Sequence, residues 1–85
     1  MADVNKWERY DIAKSQLQLV IGHYSQLIRE EESKPSPDFE LIRKWEDTQD
    51  DLSDMDSLLS ADDKEQIEGV IASYGDLVSK IMERS

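Results

Sequence analysis

Eighty-five residues, 38% hydrophobic and 35% charged, suffice for one small domain with a modest core and exclude a multi-domain enzyme. Twenty acidic side chains against ten basic ones give a net charge of −10, which disfavours nucleic acids and anionic lipid surfaces as direct ligands and favours basic protein partners. The absence of cysteine excludes disulfides, thiol catalysis and the usual structural zinc sites.

The first predicted element is a long helix over residues 4–33. No proline or glycine occurs before Gly22. Apolar residues recur at spacings of three, four and seven, which places them on one helical face: Trp7, Tyr10, Leu17, Ile21, Tyr24 and Ile28. Ile12 and Leu19 form a second apolar line on another side. Two apolar sides predict a central helix that contacts both of its neighbours. The alternative is that the second side is a surface for self-association or for a partner.

The second helix is predicted over residues 37–59. Two prolines within three residues end the first helix, and Ser36 is the expected N-cap, with Pro37 at the first helical position. The expected core stripe, with flanking apolar positions 39, 42 and 58, consists of Leu41, Trp45, Thr48, Leu52, Met55 and Leu59.

The third helix is predicted over residues 61–84. Ser60 and Asp63 form an acidic variant of the capping-box pattern, which indicates a break near Leu59. The alternative is one continuous helix through residues 37–84. The most regular apolar stripe in the chain follows the break and comprises Ile67, Val70, Ile71, Tyr74, Leu77, Val78, Ile81 and Met82.

These patterns predict an all-α fold, with a single domain over residues 1–85 built as an elongated antiparallel three-helix bundle. No alternation typical of strands persists along the chain. If residues 37–84 were one helix, the chain would instead be a two-helix hairpin that dimerises to cover its apolar stripes.

Residues suited to catalysis or cofactor binding are scarce. The chain has one histidine, no cysteine and no glycine-rich phosphate loop, so we expect neither an enzyme nor a cofactor. Asp51, Asp54 and Asp56 lack the glycine and the closing glutamate of a calcium loop, so no metal site is predicted. The longest apolar run, Leu19 to Ile21, is too short for a membrane helix, and the start of the chain lacks a secretory segment. We therefore expect a cytoplasmic protein without a membrane partner.

The acidic excess is concentrated in one part of the chain. Residues 46–68 hold ten acidic residues and one basic residue, Lys64, for a net charge of −9. At 100° per residue, four aspartates between positions 47 and 54 fall within about 100° of arc, opposite the apolar stripe of the second helix. The candidate partner-binding residues are Glu46, Asp47, Asp50, Asp51, Asp54, Asp56, Asp62, Asp63 and Glu65.

Size, charge and architecture suggest a non-enzymatic acidic protein that docks its anionic helical face on a basic partner protein. Carboxylates about one helical turn apart roughly match the spacing of phosphates, so the partner surface could be a nucleic-acid-binding or catalytic site. Antitoxins, immunity proteins and inhibitors that mimic DNA are classes of this kind. Two alternatives stay open: the acids only keep the protein soluble, or the chain is a structural or adaptor module that homo- or heterodimerises through its apolar stripes.

Overall fold

The computed structural model describes the backbone of residues 2–84 and the side chains of residues 5–83. Over these residues the chain forms α1 (Ala2–Glu32), α2 (Phe39–Leu58) and α3 (Lys64–Arg84), and no strand. The helices form an elongated bundle with extents of 55 × 26 × 14 Å. The all-α three-helix prediction is confirmed, and the alternative of one helix through residues 37–84 is wrong.

The central helix is α1, which packs against both α2 and α3, as predicted. The second apolar line that motivated this prediction nevertheless stays more than one-third exposed. Gln49 of α2 donates hydrogen bonds to the Ile21 carbonyl at 3.0 Å and to the Ser25 hydroxyl at 2.6 Å. Arg9, near the other end of α1, pairs with Glu68 in the second turn of α3. These contacts set α2 antiparallel and α3 parallel to α1.

The most enclosed side chains of α1 are Ala13, Leu17 and Val20, which have no exposed surface. Leu17 belongs to the predicted main stripe, whereas Ala13 and Val20 lie between that stripe and the second apolar line. Trp7, also of the main stripe, is 54% exposed. Because helices pack on both flanks of α1, the line between the flanks is covered most completely. These three residues pack with buried side chains from α2 and α3, namely Leu52, Leu59, Ile67 and Val70.

The connection between α1 and α2 differs from the prediction at its cap. Asp38, in extended backbone conformation, is the N-cap, and its side chain accepts a hydrogen bond from the Leu41 amide at 3.1 Å. The predicted cap at Ser36 and helix start at Pro37 are wrong, since α2 begins at Phe39. The buried Glu31 carboxylate accepts the Asp38 N–H at 3.0 Å and thereby holds Asp38 at the capping position.

The predicted break after α2 is confirmed, but its cap is also displaced. The Ser60 hydroxyl and carbonyl accept hydrogen bonds from the amides of Asp62 and Asp63, which forms a turn before the helix. Asp63 caps α3 by accepting the Gln66 amide at 3.0 Å, so α3 begins at Lys64 rather than at residue 61. The Gln66 side chain then accepts the Ser60 N–H and donates to the Leu58 carbonyl, which ties the two helix ends together.

On α2 the buried line lies to one side of the predicted stripe. Ile42 and Leu52 are buried, whereas Met55 is 36% exposed and touches the Tyr74 hydroxyl of α3 through its sulfur at 3.9 Å. Leu58, an expected flank of the core, is 73% exposed. The helical period sets the angles between residues, but the approach of α1 decides which of them are covered.

Candidate protein-binding surface

The outer side of α2 carries a row of aspartates that we call the α2 acidic face, defined by Asp47, Asp50, Asp51 and Asp54. All four side chains are exposed and point away from the side on which Ile42 and Leu52 are buried. Their spacing of three and four residues brings them onto adjacent turns. The structure therefore places these predicted site residues together on one surface.

The α2 acidic face forms no ion pair with the described side chains, whose ion pairs use other carboxylates. Arg43 and Lys44 are exposed on α2 one turn before Asp47, and no lysine or arginine follows them in this helix. Like charges three or four residues apart destabilise a helix by about 0.2–0.5 kcal/mol per pair. The face is thus a local cost to stability towards its C-terminal end.

Apolar surface adjoins the α2 acidic face at its C-terminal end. Leu58 lies one turn beyond Asp54 on the same side of α2 and exposes 73% of its surface. An exposed leucine beside a charged row is the combination found at protein interfaces, where an apolar anchor is surrounded by polar side chains.

Other predicted site residues lie beside the α2 acidic face or at the junction of α2 and α3. Glu46 is exposed on α2 one turn before Asp50, and Glu65 is exposed in the first turn of α3. Asp63 is also exposed, but one of its carboxylate oxygens accepts the Gln66 amide as the cap of α3. The negative surface therefore continues around the α2–α3 connection, and Asp63 contributes to it while also capping α3.

Basic side chains of α1 hold several carboxylates of this acidic segment. The pairs are Lys6 with Asp62, Arg9 with Glu68, and Lys14 with Asp56. The Lys14–Asp56 pair has a nitrogen–oxygen distance of 3.6 Å and a carboxylate side chain that is only 23% exposed. Asp56 is thus engaged within the bundle, whereas Asp62 pairs with Lys6 but keeps a side chain that is 82% exposed. The exposed predicted site residues without an ion pair to a described side chain are the α2 acidic face, Glu46, Asp63 and Glu65.

The electrostatics of these pairs agree with their geometry. Hydrogen bonding to Arg9, and after it the Arg9 charge, lowers the pKa of the Glu68 carboxyl from its ordinary value. Side-chain hydrogen bonding with Tyr10, followed by the charge of Asp56, raises the pKa of the Lys14 ammonium. Both groups are therefore held in their charged forms as links between helices.

Sequence reasoning did not identify the basic residues of α1 as partners for the acidic segment. Lys6 and Arg9 lie more than fifty residues from the carboxylates they contact. Their only signal in the sequence is that they flank the buried line of α1, a position from which long side chains reach neighbouring helices.

No group of three or more histidine, aspartate or glutamate side chains in the described part of the chain is arranged to hold a metal ion. Nor does any of the helices, over the same residues, contain an apolar stretch long enough to cross a membrane. Comparison with protein-family models, with curated proteins and with solved structures finds no match to this chain.

Proposed function

We propose that this protein is a non-enzymatic acidic binding protein of the cytoplasm that docks the α2 acidic face on a basic partner protein. The observation that carries this proposal is the exposure of Asp47, Asp50, Asp51 and Asp54 on one side of α2 without an ion pair to a described side chain. Lysine and arginine side chains of a partner would pair with these carboxylates.

Electrostatic attraction of this kind acts first on the rate of association. Residues 46–68 carry a net charge of −9, and this concentration of charge steers a cationic surface towards the acidic segment and raises the association rate at low salt. Leu58 then provides apolar contact beside the charged row. Affinity is accordingly expected to combine a salt-sensitive part with a smaller apolar part.

The partner surface that fits best is one built to bind phosphates. Asp47 and Asp51, like Asp50 and Asp54, are four residues apart, which corresponds to about 6 Å along the helix axis. This spacing is comparable to that of phosphates along a nucleic-acid strand. The protein would then mask a nucleic-acid-binding or catalytic surface, as inhibitors that mimic DNA, antitoxins and immunity proteins do.

The test is affinity capture from the native host at two salt concentrations, with the captured proteins identified by mass spectrometry. A basic partner should be retained at about 0.05 M salt and released at about 0.5 M, where charges are strongly screened. Asp50→Lys combined with Asp54→Lys should abolish capture. The matched control is Asp76→Lys combined with Glu83→Lys, which changes the net charge equally at exposed positions of α3.

Capture that survives both high salt and the Asp50/Asp54 double change would reject the proposal. Equal loss of capture in the α3 control would also reject it, because the net charge of the molecule would then matter and the α2 acidic face would not.

A further inference from the structure

An apolar groove lies between α1 and α3, separate from the α2 acidic face. It encloses about 470 Å³ and is lined by Asp11, Ile12, Ser15, Gln16, Leu19, Val78 and Met82. Gln49 of α2 donates a hydrogen bond to the Ile21 carbonyl, so Ile21 marks the part of α1 that lies against α2. Leu19 is two positions away, a rotation of about 200° around the axis of α1. The groove therefore faces away from α2.

The groove exposes apolar side chains at helical spacing. Ile12 and Leu19 lie two turns apart on α1 and are 43% and 38% exposed, and Met82 on α3 is 64% exposed. Val78 lies one turn before Met82 on α3 and also lines the groove. Two parallel helices with apolar side chains along their junction accept a third helix that inserts its own apolar residues at spacings of three, four and seven.

The charge in the groove selects the charge of its occupant. The one charged residue in its described lining is Asp11, an exposed acid. Lysine or arginine side chains supply a counter-charge for Asp11. A second copy of this chain would instead bring another net charge of −10 to the groove.

We propose that the α1–α3 groove binds a cationic amphipathic helix of a partner protein, with the apolar face of that helix on Ile12, Leu19 and Met82 and its basic side chains at Asp11. This site is separate from the α2 acidic face, and the proposal for the groove does not depend on the proposed function of that face.

The experiment titrates the full chain into a labelled 18-residue peptide of leucine and lysine, with all leucines on one helical face, and follows fluorescence anisotropy. A scrambled peptide of the same composition is the reference. The amphipathic peptide should bind at least about tenfold more tightly than the scrambled one, because only it presents a continuous apolar face. Leu19→Gln and Met82→Gln should each weaken its binding by about tenfold.

Phe39→Gln is the matched control, because Phe39 is also exposed and apolar but lies on α2. It should leave peptide affinity unchanged. Circular dichroism melting of each variant verifies that the fold is intact. Equal affinity for the two peptides, or unchanged affinity in both groove variants, would overturn the inference. A dimer detected by light scattering and dissociated by the same variants would also overturn it, since the occupant would then be a second copy.

Discussion

Glu31 is the side chain on which the connection between α1 and α2 depends. Its carboxylate is 6% exposed and accepts hydrogen bonds from the Lys34 ammonium at 2.8 Å and from the Asp38 amide at 3.0 Å. One acidic residue thus satisfies a backbone donor at the start of α2 and neutralises a nearby cation. Burial of a carboxylate is tolerated here because both kinds of partner are present.

Glu31→Gln should therefore lower the midpoint of thermal unfolding. The amide group of glutamine places a donor where the carboxylate accepted one of its two hydrogen bonds, and it removes the charge that holds Lys34. Glu32→Gln is the control, because it makes the same chemical change one residue away at an exposed position. Circular dichroism melts at neutral pH measure both, and equal midpoints for the two variants would show that Glu31 has no special role.

Acid should weaken the fold through the same group. Hydrogen bonding to Lys34, followed by the Asp38 amide, lowers the pKa of Glu31 from its ordinary value of 4.5. The unfolded chain then binds a proton more readily than the folded one, so the contribution of Glu31 is complete above pH 4.5 and is lost as the pH falls through the lower folded value. Urea unfolding between neutral and acidic pH should show a steeper loss of stability below pH 4.5 in the native protein than in Glu31→Gln. Parallel curves would contradict this.

At the scale of the helices, aspartates rather than serines decide where α2 and α3 begin. Ser36 and Ser60 match the sequence preference for a cap, yet Asp38 and Asp63 accept the first-turn amides. Ser60 is used in the preceding turn, where it accepts the Asp62 amide. Several residues near each helix start are able to cap, and contacts from distant parts of the chain, such as Glu31 with Asp38, select one of them.

Asp63→Ala should destabilise the protein by about 1 kcal/mol, the usual cost of losing an N-cap acceptor. Asp63→Asn keeps an acceptor at the same atom position while removing the charge, so it should leave the free energy of unfolding nearly unchanged. Urea unfolding of the two variants distinguishes capping from charge. Equal destabilisation by alanine and asparagine would assign the effect of Asp63 to its negative charge.

Leu17→Ala should destabilise the bundle by about 2–5 kcal/mol, because it leaves a cavity at a side chain that has no exposed surface. Leu58→Ala makes the same chemical change at a position that is 73% exposed and should cost less than about 0.5 kcal/mol. Chemical unfolding compares the two directly. Similar losses would mean that Leu58 packs in the core, contrary to its position in the structure.

For the molecule as a whole, three helices follow from the helical periodicity together with the prolines at positions 35 and 37 and the Ser60/Asp63 pattern. The central position of α1 follows from the apolar residues on more than one of its sides. The grouping of the α2 acidic face was also predictable, since it depends only on angles within one helix. The exposure of Leu58 and the engagement of Asp56 by Lys14 were not. Both depend on the angle at which α1 approaches, and a helical period carries no information about that angle.

The balance between stability and binding gives the last prediction. Asp50→Asn with Asp54→Asn removes several like-charge pairs from α2 at similar helix propensity, so it should stabilise the protein by about 1 kcal/mol. Screening should reproduce most of this gain: raising the salt from about 0.02 M to about 0.5 M should stabilise the native protein more than the variant. Asp76→Asn with Glu83→Gln is the control. Lys80 lies one turn from Asp76, so removing the two negative charges from α3 should not stabilise this helix. Urea unfolding at both salt concentrations measures all three proteins. A native protein as stable as the Asp50/Asp54 variant at low salt would mean that the α2 acidic face carries no cost, and the case for a partner that supplies its counter-charges would lose its physical basis.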